Sequence, residues 1–120
     1  MKKKTLVLGA SLNTNRYSNY AINRLTDKKH EVAAIGSKKG QVAEVNIETE
    51  FLPFKGIDTV TIYLNSTRQK PFYDYLVSLK PKRVIFNPGT ENPELYSILK
   101  ENKIAFEESC TLVLLSTNQY

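Results

Sequence analysis

Thr5-Leu6-Val7-Leu8 runs into Gly9, and a polar stretch follows: Gly9-Ala10-Ser11-Leu12-Asn13-Thr14-Asn15-Arg16-Tyr17-Ser18. Four apolar residues without alternation read as a strand buried on both faces, the habit of parallel sheets. The polar stretch reads as a turn, and a helix is expected to begin near Ser18 or Asn19, either of which can cap it. Tyr20, Ala21, Arg24 and Leu25 share one face of that helix, Arg24 covering apolar surface with its stem, and the pattern stops near Asp27. Strand, glycine turn and helix make the opening unit of an alternating α/β chain.

The same grammar recurs downstream. Val32-Ala33-Ala34-Ile35 is a second buried strand and also ends at a glycine, Gly36. Ser37 to Ile57 is less regular. Gln41 to Ile47 alternates apolar and polar residues, as a short exposed strand or extended arm would, and Phe51-Leu52-Pro53-Phe54 reads as a loop that tucks aromatic rings inward. Asp58 to Leu64 is a third strand. A helix starting between Thr67 and Pro71 carries Phe72, Tyr73, Leu76, Val77 and Leu79 at helical spacing, and Pro81 ends it. Arg83 to Phe86 is a fourth strand, stopped by Asn87-Pro88-Gly89. Asn92-Pro93-Glu94 marks a helix start through a cap, a proline at the first helical position and an acid in the first turn. Ile104-Ala105-Phe106 is a fifth strand, and Thr111 to Leu115 is a final apolar segment expected to lie against the sheet. The expected fold is one Rossmann-like α/β domain over residues 1–120: three layers around a mostly parallel five-stranded sheet with right-handed crossovers.

Composition narrows the function classes. With 41% apolar and 24% charged residues in 120, the chain reads as globular rather than disordered. No apolar run approaches the roughly 20 residues of a membrane-spanning helix, and Leu6-Val7-Leu8 is too short for a signal peptide, so a cytoplasmic protein is expected. One cysteine, Cys110, and one histidine, His30, exclude an internal disulfide and any metal site built on several cysteines or on two histidines. The net charge of +5 favours anionic partners, although Lys2 to Lys4 read equally well as a solvated tail. Seven tyrosines beside basic charge suit single-stranded nucleic acid, but Tyr73, Tyr75 and Tyr96 fall on helices and Tyr20 is expected to pack, so nucleic acid is disfavoured.

Ligands of open α/β sheets bind beyond the carboxyl ends of the strands, where the strand order reverses. In the first such loop, Gly9 lets the backbone turn tightly and approach a ligand closely, Ala10 follows it, and Ser11, Ser18, Asn13 and Asn15 offer polar groups. Arg16 can grip a phosphate bidentately, and the helix expected to begin near Ser18 or Asn19, just beyond Tyr17, points its N-terminus into the same space and favours an anion there. The dinucleotide fingerprint G-x-G-x-x-G is missing, since Ser11 and Thr14 stand where glycines would, and an ordinary strand-to-helix turn is the competing reading. The second loop, Gly36-Ser37-Lys38-Lys39, lacks the acid that holds the ribose of NAD. Ser37 and Lys38 would accept a ribose phosphate, as in coenzyme A or NADP, or else the two lysines are solvated loop charges. The loops at Asn65 and at Asn87-Pro88-Gly89 are small, polar and placed for a ligand arm; Thr90 and Glu91 serve either a ligand or the start of a helix. Cys110 could pair with a ligand thiol or act as a nucleophile, but no histidine is near it in sequence and a buried structural thiol is the commoner case; His30 reads as surface structure at the opposite end. Glu107 and Glu108 form no acid–base pair.

T-L-V-L-G-A-S with R-Y-S beyond it, V-A-A-I-G, T-V-T-I-Y-L-N and R-V-I-F-N-P-G-T-E-N resemble the small bacterial CoA-binding domain proteins, from about Lys4 to Leu115. These Rossmann-like proteins are related to the CoA-binding domain of the succinyl-CoA synthetase α subunit. The resemblance implies that Gly9 to Ser18 hold the CoA diphosphate and that Ile35 to Lys38 lie beside the adenosine. Asn65 and Asn87 to Gly89 would border the pantetheine arm. A cysteine near the last strand recurs in such proteins and matches Cys110. The departure is Ser37-Lys38-Lys39-Gly40, where many relatives carry a proline-rich turn.

Three function classes remain. The leading one is a module that binds coenzyme A or an acyl-CoA without catalytic apparatus of its own. An NADP-dependent oxidoreductase is the enzyme alternative, although neither a substrate domain nor a proton donor is visible. An interaction or regulatory protein, its protein partner unspecified, is the third.

Overall fold

In the computed structural model, residues 2–120 are described. The first strand, β1 (Thr5–Ala10), leads into helix α1 (Tyr17–Asp27) and strand β2 (Val32–Gly36). Strands β3 (Gly40–Val42) and β4 (Val45–Glu48) follow, then β5 (Thr59–Ile62). Helix α2 (Ser66–Gln69) continues through a 3-10 turn, Lys70–Phe72, into α3 (Tyr73–Leu79). The chain finishes with β6 (Arg83–Phe86), α4 (Pro93–Glu101), β7 (Ala105–Glu108) and α5 (Thr111–Ser116).

The Rossmann-like α/β reading holds, but the sheet has seven strands rather than five, in the order β3-β4-β2-β1-β5-β6-β7. All pairings are parallel except β3 with β4. The two extra strands come from the irregular stretch after Gly36. Val42 pairs with Val45 across a two-residue turn, and β4 lies parallel to β2 with Ile47 opposite Ala34. The turn residues Ala43 and Glu44 both have positive φ, 49° and 67°. A tight hairpin needs that geometry and normally takes Asn or Gly for it, so no turn signal announced the hairpin. Thr111 to Leu115 also departs from expectation. It is a short helix that buries only Thr111 and Leu115.

Side chains of β1 alternate between two cores. Leu6 and Leu8 join Val60, Ile62 and Phe86 beneath α3 and α4, which contribute Leu76, Leu95 and Leu99. Val7 and Ala10 face the other way, with Ile22 and Leu25 of α1 and Leu115 of α5. Each fully buried Leu or Ile contributes about 1.5–3 kcal/mol by leaving water. Ile22 replaces Tyr20 in the buried stripe of α1; Tyr20 is 46% exposed, its ring 6.4 Å from that of Tyr17. The chain order reverses between β1 and β5, so their carboxyl ends, with α1 on one face and α2 on the other, frame the ligand crevice expected of this architecture. Among the described residues, no helix is long and apolar enough to cross a membrane.

Candidate functional site

A cleft of about 540 Å³ opens at that point. Gly9, Ala10 and Ser11 line it from the end of β1, and Arg16, Tyr17 and Ser18 from the start of α1. Ile35, Gly36 and Ser37 border it from β2, and Asn65, Pro88 and Gly89 from the loops after β5 and β6. Eleven of the fourteen sequence-nominated residues therefore meet around one cavity; Asn15, Lys38 and Asn87 do not line it. Tyr63, Leu64, Arg68, Phe72 and Thr90 complete the wall.

Two glycines set the geometry of the rim. Gly9 has φ +94°, a left-handed conformation that L side chains rarely adopt, and a β-carbon there would stand 3.0 Å from the backbone of Tyr63. At Gly36 the constraint is space: a β-carbon would lie 2.2 Å from the Ala10 carbonyl oxygen. The ends of β1 and β2 consequently meet backbone to backbone.

The loop between β1 and α1 is tied internally. The Asn13 N–H donates to Ser11 Oγ (3.0 Å), the Asn15 N–H to Asn13 Oδ1 (2.9 Å) and the Asn19 amide to the Ser11 carbonyl (3.0 Å). Neither Ser18 nor Asn19 caps α1. The helix starts at Tyr17, with Arg16 in the cap position and no side chain bonded to the first-turn amides, and both Ser18 and Asn19 are buried. An uncapped helix N-terminus of 11 residues thus borders the cavity beside the Arg16 guanidinium, an arrangement suited to a phosphate. The Tyr17 ring is 70% exposed at the same rim.

The three residues outside the lining have physical reasons for it. Asn15 is exposed, its backbone turned into the loop. Lys38 is exposed on the turn toward β3, next to the lining residue Ser37. Asn87 is buried and fully engaged: its amide donates to Thr61 Oγ1 (2.7 Å) and to the Ile62 carbonyl (2.9 Å), and its Oδ1 accepts the Thr111 N–H (2.8 Å). Asn87 locks β5, β6 and α5 together. Asn65, within the lining, uses Oδ1 to cap α2 by accepting the Arg68 N–H (2.9 Å).

Gln69, wholly buried, braces the far wall. Its amide donates to the carbonyls of Leu64 and Thr90, both at 2.8 Å, and its Oε1 accepts from Asn92 (2.9 Å). Sequence reading passed over Gln69, Arg68 and Tyr63, because single polar residues after a strand carry no periodic signal. The Tyr63 hydroxyl is the one buried side-chain polar atom without a hydrogen-bond partner among the described residues, and burial pushes its pKa up to about 12.

Cys110 is half-buried at the start of α5 and does not line the cleft. His30 lies at the amino edge, its Nδ1 accepting the Lys3 N–H (2.9 Å), and burial followed by the charges of Lys2 and Lys3 lowers its pKa. Glu107 pairs with Arg83 (3.2 Å), and Glu108 accepts the Tyr96 hydroxyl (2.6 Å), so both serve structure.

The model of one domain family, the CoA binding domain, matches residues 3–116. The chain is 51% identical to an uncharacterized protein of known crystal structure, with TM-score 0.97 over 100% of this chain and 99% of that one. Cell-free ID.343 from Thermus thermophilus is 18% identical with TM-score 0.87, over 99% of this chain and 91% of that one. A hypothetical protein from Pyrococcus horikoshii OT3 is 19% identical with TM-score 0.86, over 97% and 83% respectively. The last two likenesses show the fold. No curated protein matches. With all but a few terminal residues inside the family match, the chain belongs to the CoA binding domain family.

Proposed function

We propose that the protein binds coenzyme A or an acyl-CoA in the cleft at the carboxyl ends of β1, β2, β5 and β6, as a binding or regulatory module. The observation that carries this reading is the charge of the wall. Two arginines line the cleft, no carboxylate does, and the uncapped start of α1 adds a partial positive charge. Such a wall favours a polyphosphate. Arg16 and the amides at Tyr17 and Ser18 would hold the diphosphate. Gly36 and Ser37, with Lys38 just outside, would receive the adenosine and its ribose phosphate. Asn65, Pro88 and Gly89 would border the pantetheine arm. The hydroxyls of the lining, among them Ser11, Ser18, Tyr63 and Thr90, have no histidine, lysine or carboxylate beside them in the wall to activate them, which favours binding over acid–base or nucleophilic chemistry.

Calorimetric titration with coenzyme A, dephospho-CoA, NADP and NAD tests the assignment. Coenzyme A is expected to bind most tightly, and tighter NADP binding would favour the oxidoreductase alternative. In Arg16→Ala, loss of an exposed charge-assisted contact is expected to cost about 1.5 kcal/mol, roughly tenfold in affinity. Unchanged affinity in that variant would remove Arg16 from the site.

A further inference from the structure

The cleft is flanked by arginines from opposite layers of the fold. Arg16 stands at the start of α1, in the layer that α1 shares with α5, and Arg68 stands on α2, in the layer of α3 and α4. Both line the cavity, and neither guanidinium has a hydrogen-bond or ion-pair partner among the described residues. Arg83, by contrast, is bonded to Thr59 and Glu107.

The backbone of Arg68 is held on both sides. Its own N–H donates to the Asn65 side chain (2.9 Å). The next residue, Gln69, is wholly buried and bonded to the carbonyls on either side of the cleft's far wall. The backbone that carries the exposed guanidinium is fixed, so ordering Arg68 on a ligand costs only the entropy of its own side chain. The kind of cation is also sorted by place. No lysine lines this cleft, whereas the cavity at the opposite end of the sheet is lined by lysines and no arginine. A planar fork suits the paired oxygens of a phosphate better than an ammonium point charge does.

We infer that Arg68 is a second phosphate-binding residue, closing on the ligand's diphosphate from the side opposite Arg16. The identity of that diphosphate rests on the coenzyme A reading; the two-sided clamp is a property of the cleft and is tested separately. The ligands are coenzyme A, inorganic pyrophosphate and pantetheine, which has no phosphate. Each is titrated by calorimetry into the wild type, Arg68→Ala, Arg68→Lys and Arg16→Ala. The clamp predicts that Arg68→Ala weakens both coenzyme A and pyrophosphate about tenfold, with a shallower dependence on salt, and leaves any pantetheine binding unchanged. Arg68→Lys is expected to recover only part of the loss. Since the guanidinium has no internal partner, the melting temperature of Arg68→Ala should match the wild type. Wild-type affinity and salt dependence in Arg68→Ala would overturn the clamp and leave the coenzyme A reading standing. Pyrophosphate binding that needs Arg68, in a protein that ignores coenzyme A, would support the clamp and overturn that reading. Failure of the wild type to bind either phosphate ligand would overturn both.

Discussion

Gly36 shows how a single residue shapes the cleft. With 2.2 Å between a hypothetical β-carbon and the Ala10 carbonyl oxygen, Gly36→Ala must push β2 away from β1, because a backbone atom cannot rotate aside as a side chain does. The expected cost is about 1–3 kcal/mol in urea denaturation, together with loss of coenzyme A binding. Wild-type stability in that variant would mean that the two strand ends are not held together as described. His30 makes a prediction of a different kind. Its Nδ1 accepts a backbone N–H, which requires the neutral ring, and its pKa lies below the ordinary 6.5. The folded state therefore binds a proton less readily than the unfolded state. The resulting stability is complete above pH 6.5 and is lost as the pH falls through that value toward the lowered pKa. Urea midpoints at about pH 7.5 and about pH 5.5 should differ more in the wild type than in His30→Asn. Equal differences would exclude the contact. At this scale Gly9, Gly36 and Arg16 were legible because glycine after an apolar run and arginine before a helix each have a mechanism. Arg68 and Gln69 were not, since only the packing of α2 against the loop of Thr90 gives them a role.

The start of α4 and the stops of α1 and α3 were easier to read than the start of α1 or the hairpin. Asn92 was recognisable from Asn-Pro-Glu, and it caps α4 as expected, accepting the Leu95 N–H at 3.4 Å. It does more than the sequence indicated: its amide donates to Gln69 Oε1 and to the Tyr73 hydroxyl, both at 2.9 Å. Asn92→Ala should therefore remove a cap and leave a buried Gln69 oxygen without its donor, at a combined cost of about 2–4 kcal/mol in chemical denaturation. A loss below about 0.5 kcal/mol, the scale of an ordinary surface substitution, would contradict the network. Helix stops carried no glycine signal, because lysines fill the left-handed positions that glycine usually takes, yet the ends of α1 at Asp27 and of α3 just before Pro81 were legible from the apolar pattern and the proline. Lys29, Lys80 and Lys103 follow α1, α3 and α4 with φ of 68°, 49° and 57°. A lysine at that place also sets a positive charge near the negative end of the helix dipole. The β3–β4 hairpin was hidden for a similar reason, its turn being built from Ala43 and Glu44. The start of α1 was misplaced because Ser18 and Asn19, both good capping residues, are buried in its first turn instead.

Across the whole molecule, positive charge is divided between the two ends of the sheet. Arg16 and Arg68 line the carboxyl-end cleft. The amino end carries a cavity of about 750 Å³ lined by Lys2, Lys4, Lys29, Lys80 and Lys82 with Glu31 and Asp58. The first lysines are not a solvated tail. Lys2 donates to the Lys28 carbonyl, Lys3 to the Tyr120 oxygen (2.7 Å) and Lys4 to the Lys55 carbonyl (2.7 Å), while Lys4 also pairs with Glu31 (3.4 Å). These cations are held against helix ends and backbone oxygens, whereas Arg16 and Arg68 are left without internal partners. Net charge alone could not separate the two ends; only the topology does. Amide chemical-shift mapping with added coenzyme A tests the central claim most directly, because the two cavities lie at opposite ends of β1, β2, β5 and β6. The account predicts perturbations at Gly9 to Ser18, at Gly36 and Ser37, and at Asn65, Gly89 and Thr90. Shifts confined to the lysines of the amino end, with the carboxyl-end loops unmoved, would contradict it.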